Sequence, residues 1–261
     1  MILKKQIRGL DDIILGGVLQ KIRQRIRRRN VSSSLNVHLD HEFIIRYRKN
    51  TKSIFSTLCE TYGSDKGAIS MDLPRPYPWS AHTYADFYSM LLGPLRTNVK
   101  RVFECGIGTN NPNLASSMSV NGKPGASLRV WRDYFPNAHV FGGDIDPDIL
   151  FQEDRISSYY LDQTDADSIE SFWEQVGYSD FDLIVDDGLH TFEAAISLFK
   201  NSHSRLSNQG IYIIEDVSLE AWEKYIEYFG DMSILKRHAS FVTLKANRKF
   251  GTTGLVIILP N

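Results

Sequence analysis

The sequence predicts an α/β fold: a doubly wound, seven-stranded, mostly parallel sheet with an antiparallel terminal strand, preceded by a helical N-terminal segment. Three observations predict it. From residue 100 onward, short apolar runs alternate with segments of helical period, the pattern of a parallel sheet covered on both faces. Acidic residues end several of those runs, where open α/β sheets present groups to ligands. The last two runs are joined by a turn-rich segment without a helix, so they read as a hairpin and at least one edge strand is antiparallel.

The elements follow in order. Residues 10–29 form a helix on the spacing of Ile14, Leu15, Val18, Leu19, Ile22 and Ile26, with Lys and Arg between them. Val31-Ser32-Ser33-Ser34 reads as a linker. Residues 53–62 and 81–92 read as helices, separated by an irregular stretch holding Gly63-Ser64-Asp65-Lys66-Gly67 and Pro74, Pro76 and Pro78. A strand at 100–104 leads through a Gly/Asn loop to a helix at 126–135. Strands at 138–143, 157–161, 181–186 and 210–215 follow, with helices at 166–176, 191–205 and 218–229. Residues 240–244 and 255–259 close the chain as the hairpin. The expected organisation is a basic helical extension over 1–50, a helical cap over 51–97 and a ligand-binding α/β domain over 98–261.

Composition is globular, 42% hydrophobic and 23% charged, with a net charge of -1. Residues 1–30 hold nine Lys and Arg against Asp11 and Asp12, a net of +7, so the remainder carries -8. Cys59 and Cys105 are the only cysteines, which excludes a disulfide framework and a CxxC metal pair and suits a reducing compartment. No apolar stretch approaches the roughly 20 residues of a transmembrane helix. Residues 13–19 are short and run into a dense basic segment, unlike a signal peptide. The expectation is a cytoplasmic protein. Its basic N-terminal helix either contacts an anionic inner-membrane surface peripherally or packs on a second copy in a homo-oligomer.

Two acidic clusters carry the chemistry. Asp186-Asp187-Gly188-Leu189-His190 follows the run Phe181 to Val185, and Glu215-Asp216 follows Ile211 to Ile214. Adjacent parallel strands lie about 4.8 Å apart, so carboxylates from two strand ends can converge on a hard cation such as Mg²⁺. Asp and Glu also end strands merely as poor strand formers, but two clusters and a nearby His favour a site. The first strand ends Glu104-Cys105-Gly106-Ile107-Gly108, and its glycines let backbone approach a ligand. This is not GxGxxG, since position 111 is Asn, so a dinucleotide cradle is poorly supported. Asp144 and Asp146 follow the second strand, where an acid can bond ribose hydroxyls; Asp146 serves equally as a helix cap ahead of Pro147. Asp162-Gln163 ends the third, within reach of an adenine amino group. His190 has a structural alternative too, as a helix N-cap ahead of Thr191. Trp131, Tyr134 and Phe135 repeat at helical spacing and read as core.

In this order the residues resemble a class I S-adenosylmethionine-dependent methyltransferase with a Rossmann-like sheet. Tyr62 to Gly67, His82-x-Tyr84, the string from Gly125 to Ala138, and Asp186-Asp187-Gly188-x-His190 are similar to the macrocin and mycinamicin type of sugar O-methyltransferases, whose relatives include polysaccharide-biosynthesis enzymes. The resemblance covers roughly residues 55–220. It implies Mg²⁺ or a similar cation held by Asp187 and, 28 residues later, by Glu215 with Asp216. It implies His190 as the base. It implies S-adenosylmethionine against Tyr62, Lys66, His82, Glu104, Gly106, Gly108, Ser127, Asp144, Asp162, Gln163 and Asp186. Leu189 stands where the family usually has a small polar residue, and the loop from Thr109 to Pro124 is longer. The implied function is metal-dependent O-methylation of a sugar or sugar-containing small molecule. Alternatives are a methyltransferase on a non-sugar metabolite and a nicotinamide-dependent oxidoreductase. The second wants GxGxxG and leaves the paired acids without a role. No nucleic-acid partner is expected, because aromatics are sparse in the basic segment.

Overall fold

Val102-Phe103, Val140-Phe141 and Leu183-Ile184-Val185 are buried on both faces of a sheet, which is why each strand reads as a continuous apolar run. The computed structural model describes residues 45, 53–67, 77, 79, 81–114, 116–245 and 252–261. Residues 46–261 form one compact unit, to which every element below belongs. The helix expected at 10–29 and the linker after it lie outside the described residues.

The described elements are α1 (Ile54–Tyr62), α2 (Tyr84–Leu92), β1 (Arg101–Cys105), α3 (Ala126–Tyr134), β2 (His139–Asp144), β3 (Gln152–Glu153), β4 (Ile156–Tyr160), α4 (Ala166–Val176), β5 (Phe181–Asp186), α5 (Phe192–Ser202), β6 (Leu206–Val217), α6 (Trp222–Phe229), β7 (Arg237–Lys245) and β8 (Thr252–Pro260). They build an eight-stranded sheet of order β3-β4-β2-β1-β5-β6-β8-β7. β4, β2, β1, β5 and β6 pair in parallel. The expected seven strands are present, and the eighth is the two-residue β3, antiparallel on the β4 edge. The expected hairpin is β7 and β8, paired antiparallel, with β7 as the antiparallel edge strand and β8 between it and β6.

Helix ends obey local chemistry. Asp165 accepts from Asp167 N at the start of α4, and Gly177 closes that helix in the left-handed conformation. Thr191 caps α5 through Ala194 N. The helix expected from 218 starts later, at Trp222, because residues 218–221 close a turn through Ala221 N and Ser218 O. Trp131, Tyr134 and Phe135 are core, as read from their spacing. α1 and α2 share that core with the sheet: Phe55 meets Trp131 at 5.0 Å and Tyr88 at 5.5 Å. The region between residues 53 and 92 is thereby tied to the same hydrophobic cluster as β1. Strand order reverses at β1, whose neighbours are β2 and β5, and ligands of open α/β sheets bind at such a switch.

Candidate active site

The loop after β1 is held so closely that only glycine fits. Gly106 has φ +83°, and a Cβ there would lie 2.2 Å from the Asp187 carbonyl oxygen. Asp144, at the end of β2, pins the same loop by accepting from Ile107 N at 2.8 Å, and its other oxygen accepts from Asp146 N in its own turn at 3.0 Å. Gln163, just past β4, donates to Asp186 Oδ1 at 3.1 Å and accepts from Leu189 N at 2.6 Å. A Cβ on Gly188 would strike that amide at 1.8 Å. The ends of β1, β2, β4 and β5 are thus locked to one another around a cavity of about 750 Å³. Gly106, Gly108, Ser127, Asp144, Asp162, Gln163 and His82 line it, together with Asp187, His190 and Asp216.

Beneath the wall lies an ion cluster. Lys66 is 1% exposed, and its Nζ meets Asp187 Oδ2 at 2.6 Å, Glu215 Oε2 at 2.7 Å and Glu104 Oε1 at 3.0 Å. Burial opposes the lysine's charge, but Asp187, Glu104 and Glu215 outweigh it and hold its pKa well above the usual value. Glu215 spends its other oxygen on the Tyr88 hydroxyl at 2.5 Å. One ammonium serves three carboxylates, and burial pushes Asp187 and Glu215 upward in pKa. Asp186 is pushed up to about 6 by burial as well.

Above it, Asp187, His190 and Asp216 bring one ligand atom each within 4.8 Å of one another. His190 Nε2 lies 4.0 Å from Asp187 Oδ1 and 3.9 Å from Asp216 Oδ2. His190 and Asp216 both hold left-handed backbone, at φ 57° and 51°. Such conformations cost about 1–3 kcal/mol and cluster at functional sites. Asp216 is steadied by Tyr84, whose hydroxyl donates to its carboxylate and accepts from its backbone N–H at 3.3 Å. His82 stacks on Tyr84 and places Nδ1 3.5 Å from Asp216 Oδ1.

Several expected residues take other places. Tyr62, Lys66, Glu104 and Asp186, expected against a cofactor, are absent from the cavity wall. Tyr62 donates to Asp133 beside Arg132. Lys66 and Glu104 are in the ion cluster, where Glu104 also accepts from Trp131 Nε1 at 3.2 Å. Asp186 organises Gln163 and Gly188. Glu215, expected on a cation, has both oxygens on Lys66 and Tyr88. Asp146 is the cap of its two readings, accepting from Asp148 N at 3.1 Å. His190 is not a cap, a role that falls to Thr191. Sequence reasoning assigned no role to Asp65, Trp79 or Met118, which also line the cavity. The signal for Met118 was the lengthened loop after Thr109; Trp79 stood in a proline-rich stretch with no periodicity to mark it.

No family model matches the chain. Among curated proteins it is similar to 8-demethyl-8-alpha-L-rhamnosyl tetracenomycin-C 2'-O-methyltransferase of Streptomyces olivaceus, 29% identical over 153 residues, covering 59% of this chain and 38% of that protein. It is similar to L-olivosyl-oleandolide 3-O-methyltransferase of Streptomyces antibioticus, 32% identical over 176 residues, covering 66% and 42%. It is similar also to demethylmacrocin O-methyltransferase of Streptomyces fradiae, 26% identical over 194 residues, covering 74% and 45%. The chain therefore spans less than half the length of these relatives. In fold it matches the MycE methyltransferase of the mycinamycin pathway, solved with Mg, SAH and mycinamycin VI, with a TM-score of 0.56, 20% identity, and coverage of 80% of this chain and 54% of that one. The chain shares the fold of a solved methyltransferase, and in sequence it is similar to curated O-methyltransferases, among them ones whose names carry a rhamnosyl or olivosyl group.

Proposed function

We propose that the protein transfers a methyl group from S-adenosylmethionine to a hydroxyl of a sugar-bearing small molecule, with a divalent cation at the ends of β5 and β6. One observation carries the reading. The Gly106 loop, the Asp144 and Gln163 region, and the Asp187–His190–Asp216 group all face a single cavity. The rhamnosyl and olivosyl groups in the names of two of the relatives above support the acceptor class.

The donor set suits the cation. Asp187 and Asp216 offer hard oxygens, and three carboxyl groups crowd the single ammonium of Lys66. Asp187 and Asp216 would hold the ion, and Glu215 would join them on exchanging Lys66 or Tyr88 for it. When bound, the cofactor supplies an electrophilic methyl group and the cation lowers the pKa of a neighbouring hydroxyl. His190 presents Nε2 to the space between Asp187 and Asp216, and there it would take the hydroxyl proton. The loop carrying Gly106 brings backbone close enough to seat the cofactor, and Asp144 keeps that loop in place.

Titration calorimetry with S-adenosylhomocysteine and with NADH, followed by labelled-methyl transfer onto a panel of rhamnosylated acceptors and nucleotide sugars, tests the reading. Binding of S-adenosylhomocysteine alone and label recovered as an O-methyl sugar is the expected result. NADH binding without label in any glycoside would overturn it. For the basic segment over residues 1–30, the sequence supports docking on an anionic surface or pairing with a second copy; salt-dependent liposome sedimentation and the mass of a truncated protein separate these.

A further inference from the structure

The cavity has two ends, set by the strand order. Ile145 and Asp162 lie toward β2 and β4, on one side of β1, whereas Asp216 is on β6 at the other side. Beyond Asp216 the wall is continued by His82, Asp65 and Trp79 through direct links. His82 Nδ1 is 3.5 Å from Asp216 Oδ1, and its Nε2 is 3.7 Å from Asp65 Oδ2. Trp79 Nε1 donates to the same Asp65 oxygen at 2.6 Å. Tyr77 stacks on Trp79 with centroids 5.5 Å apart and planes at 22°, so the indole is set by a stack and by a hydrogen bond. Leu189, 41% exposed, adds apolar surface beside His190 on the same wall.

An indole with a carboxylate fixed at its edge matches a pyranose ring. The C–H face of such a ring is apolar and suits an aromatic surface, while its hydroxyls donate best to an ionised acceptor. We propose that Trp79 and Asp65 form the acceptor-sugar subsite, with the ring packed on the indole, one hydroxyl donating to Asp65, and the hydroxyl to be methylated turned to His190. This rests on the methyltransferase reading of the cavity. It adds the part of the wall that selects a sugar, and it places the aglycone outward past Leu189.

The tryptophans make the test specific. Of four, Trp131, Trp173 and Trp222 are buried at 0%, 0% and 2% exposure, so indole emission that responds to a cavity ligand reports Trp79. Methyl α-L-rhamnopyranoside is titrated into the full chain holding Mg²⁺ and S-adenosylhomocysteine, with glycerol as control. A saturable change in emission with the glycoside alone is expected. Trp79→Phe should abolish it, and Asp65→Asn should weaken binding by about tenfold, the scale of one lost charge-assisted hydrogen bond. Both variants should keep the S-adenosylhomocysteine affinity of the wild type. The subsite is overturned if the glycoside leaves emission unmoved while saturation-transfer NMR finds it bound equally to wild type and Trp79→Ala. It is overturned equally if no glycoside binds the loaded protein. Failure of S-adenosylhomocysteine to bind wild type would instead overturn the parent reading.

Discussion

Lys66 is 1% exposed with three carboxylates within 3.0 Å, so removing its charge leaves buried Glu104 and Glu215 and half-buried Asp187 around an empty centre. Lys66→Met is expected to cost about 3–5 kcal/mol in chemical denaturation, as for one partner taken from a buried pair; a cost near zero would mean the cluster is not ionised. His190→Ala acts on chemistry rather than on stability, since its side chain is partly exposed and caps nothing. Its kcat should fall toward the lower end of the roughly 10²–10⁴-fold range of general-base catalysis. An unchanged kcat would remove His190 from the mechanism. At this scale the sequence was legible where residue type and strand end coincide, as at Asp187, His190 and Asp216. It was silent on Lys66 as the counter-ion of Glu104 and Glu215, because those partners are 38 and 149 positions away and no local spacing encodes their meeting.

α2 presents Tyr84 and Tyr88 one turn apart to two consecutive carboxylates of β6, Asp216 and Glu215. The helix itself was readable from its apolar spacing, but not the aim of its hydroxyls, because side-chain direction depends on how the helix docks. Outer-shell partners of this kind are typically worth about 10–100-fold in metal affinity. Tyr84→Phe should therefore weaken Mg²⁺ or Mn²⁺ binding by that order in calorimetry while the far-UV spectrum stays native; unaltered affinity would make Tyr84 a packing residue only. Strand starts make a different prediction. Burial, aided by Arg155, holds the His139 pKa below its ordinary value, and its Nε2 lies 2.9 Å from Ser157 Oγ across β2 and β4. The unfolded chain then takes up the proton first, so this contribution is full above the ordinary histidine pKa of about 6.5 and is lost as pH falls through it. The stability difference between wild type and His139→Gln should shift against wild type between about pH 7 and pH 5; a constant difference would mean that His139 titrates as if unfolded.

Over the whole molecule, alternation of apolar runs and helical segments was enough to read the parallel sheet and the chain-terminal antiparallel strand. It did not reveal β3, whose two residues are too short to carry a period, nor the place of β8 between β6 and β7, which is a matter of pairing rather than pattern. The sheet brings a cofactor-sized groove and a carboxylate pair to one cavity at the switch point, and the proposed function depends on both being used together. Methyl transfer from labelled S-adenosylmethionine to a rhamnosylated acceptor, measured in Mg²⁺ and after exhaustive dialysis against EDTA, tests that dependence most directly. Turnover should stop in EDTA, return with Mg²⁺, and stay absent in Asp187→Ala and Asp216→Ala proteins that still bind S-adenosylhomocysteine. Full turnover in EDTA, or in either variant, would contradict the assignment of a cation to the ends of β5 and β6.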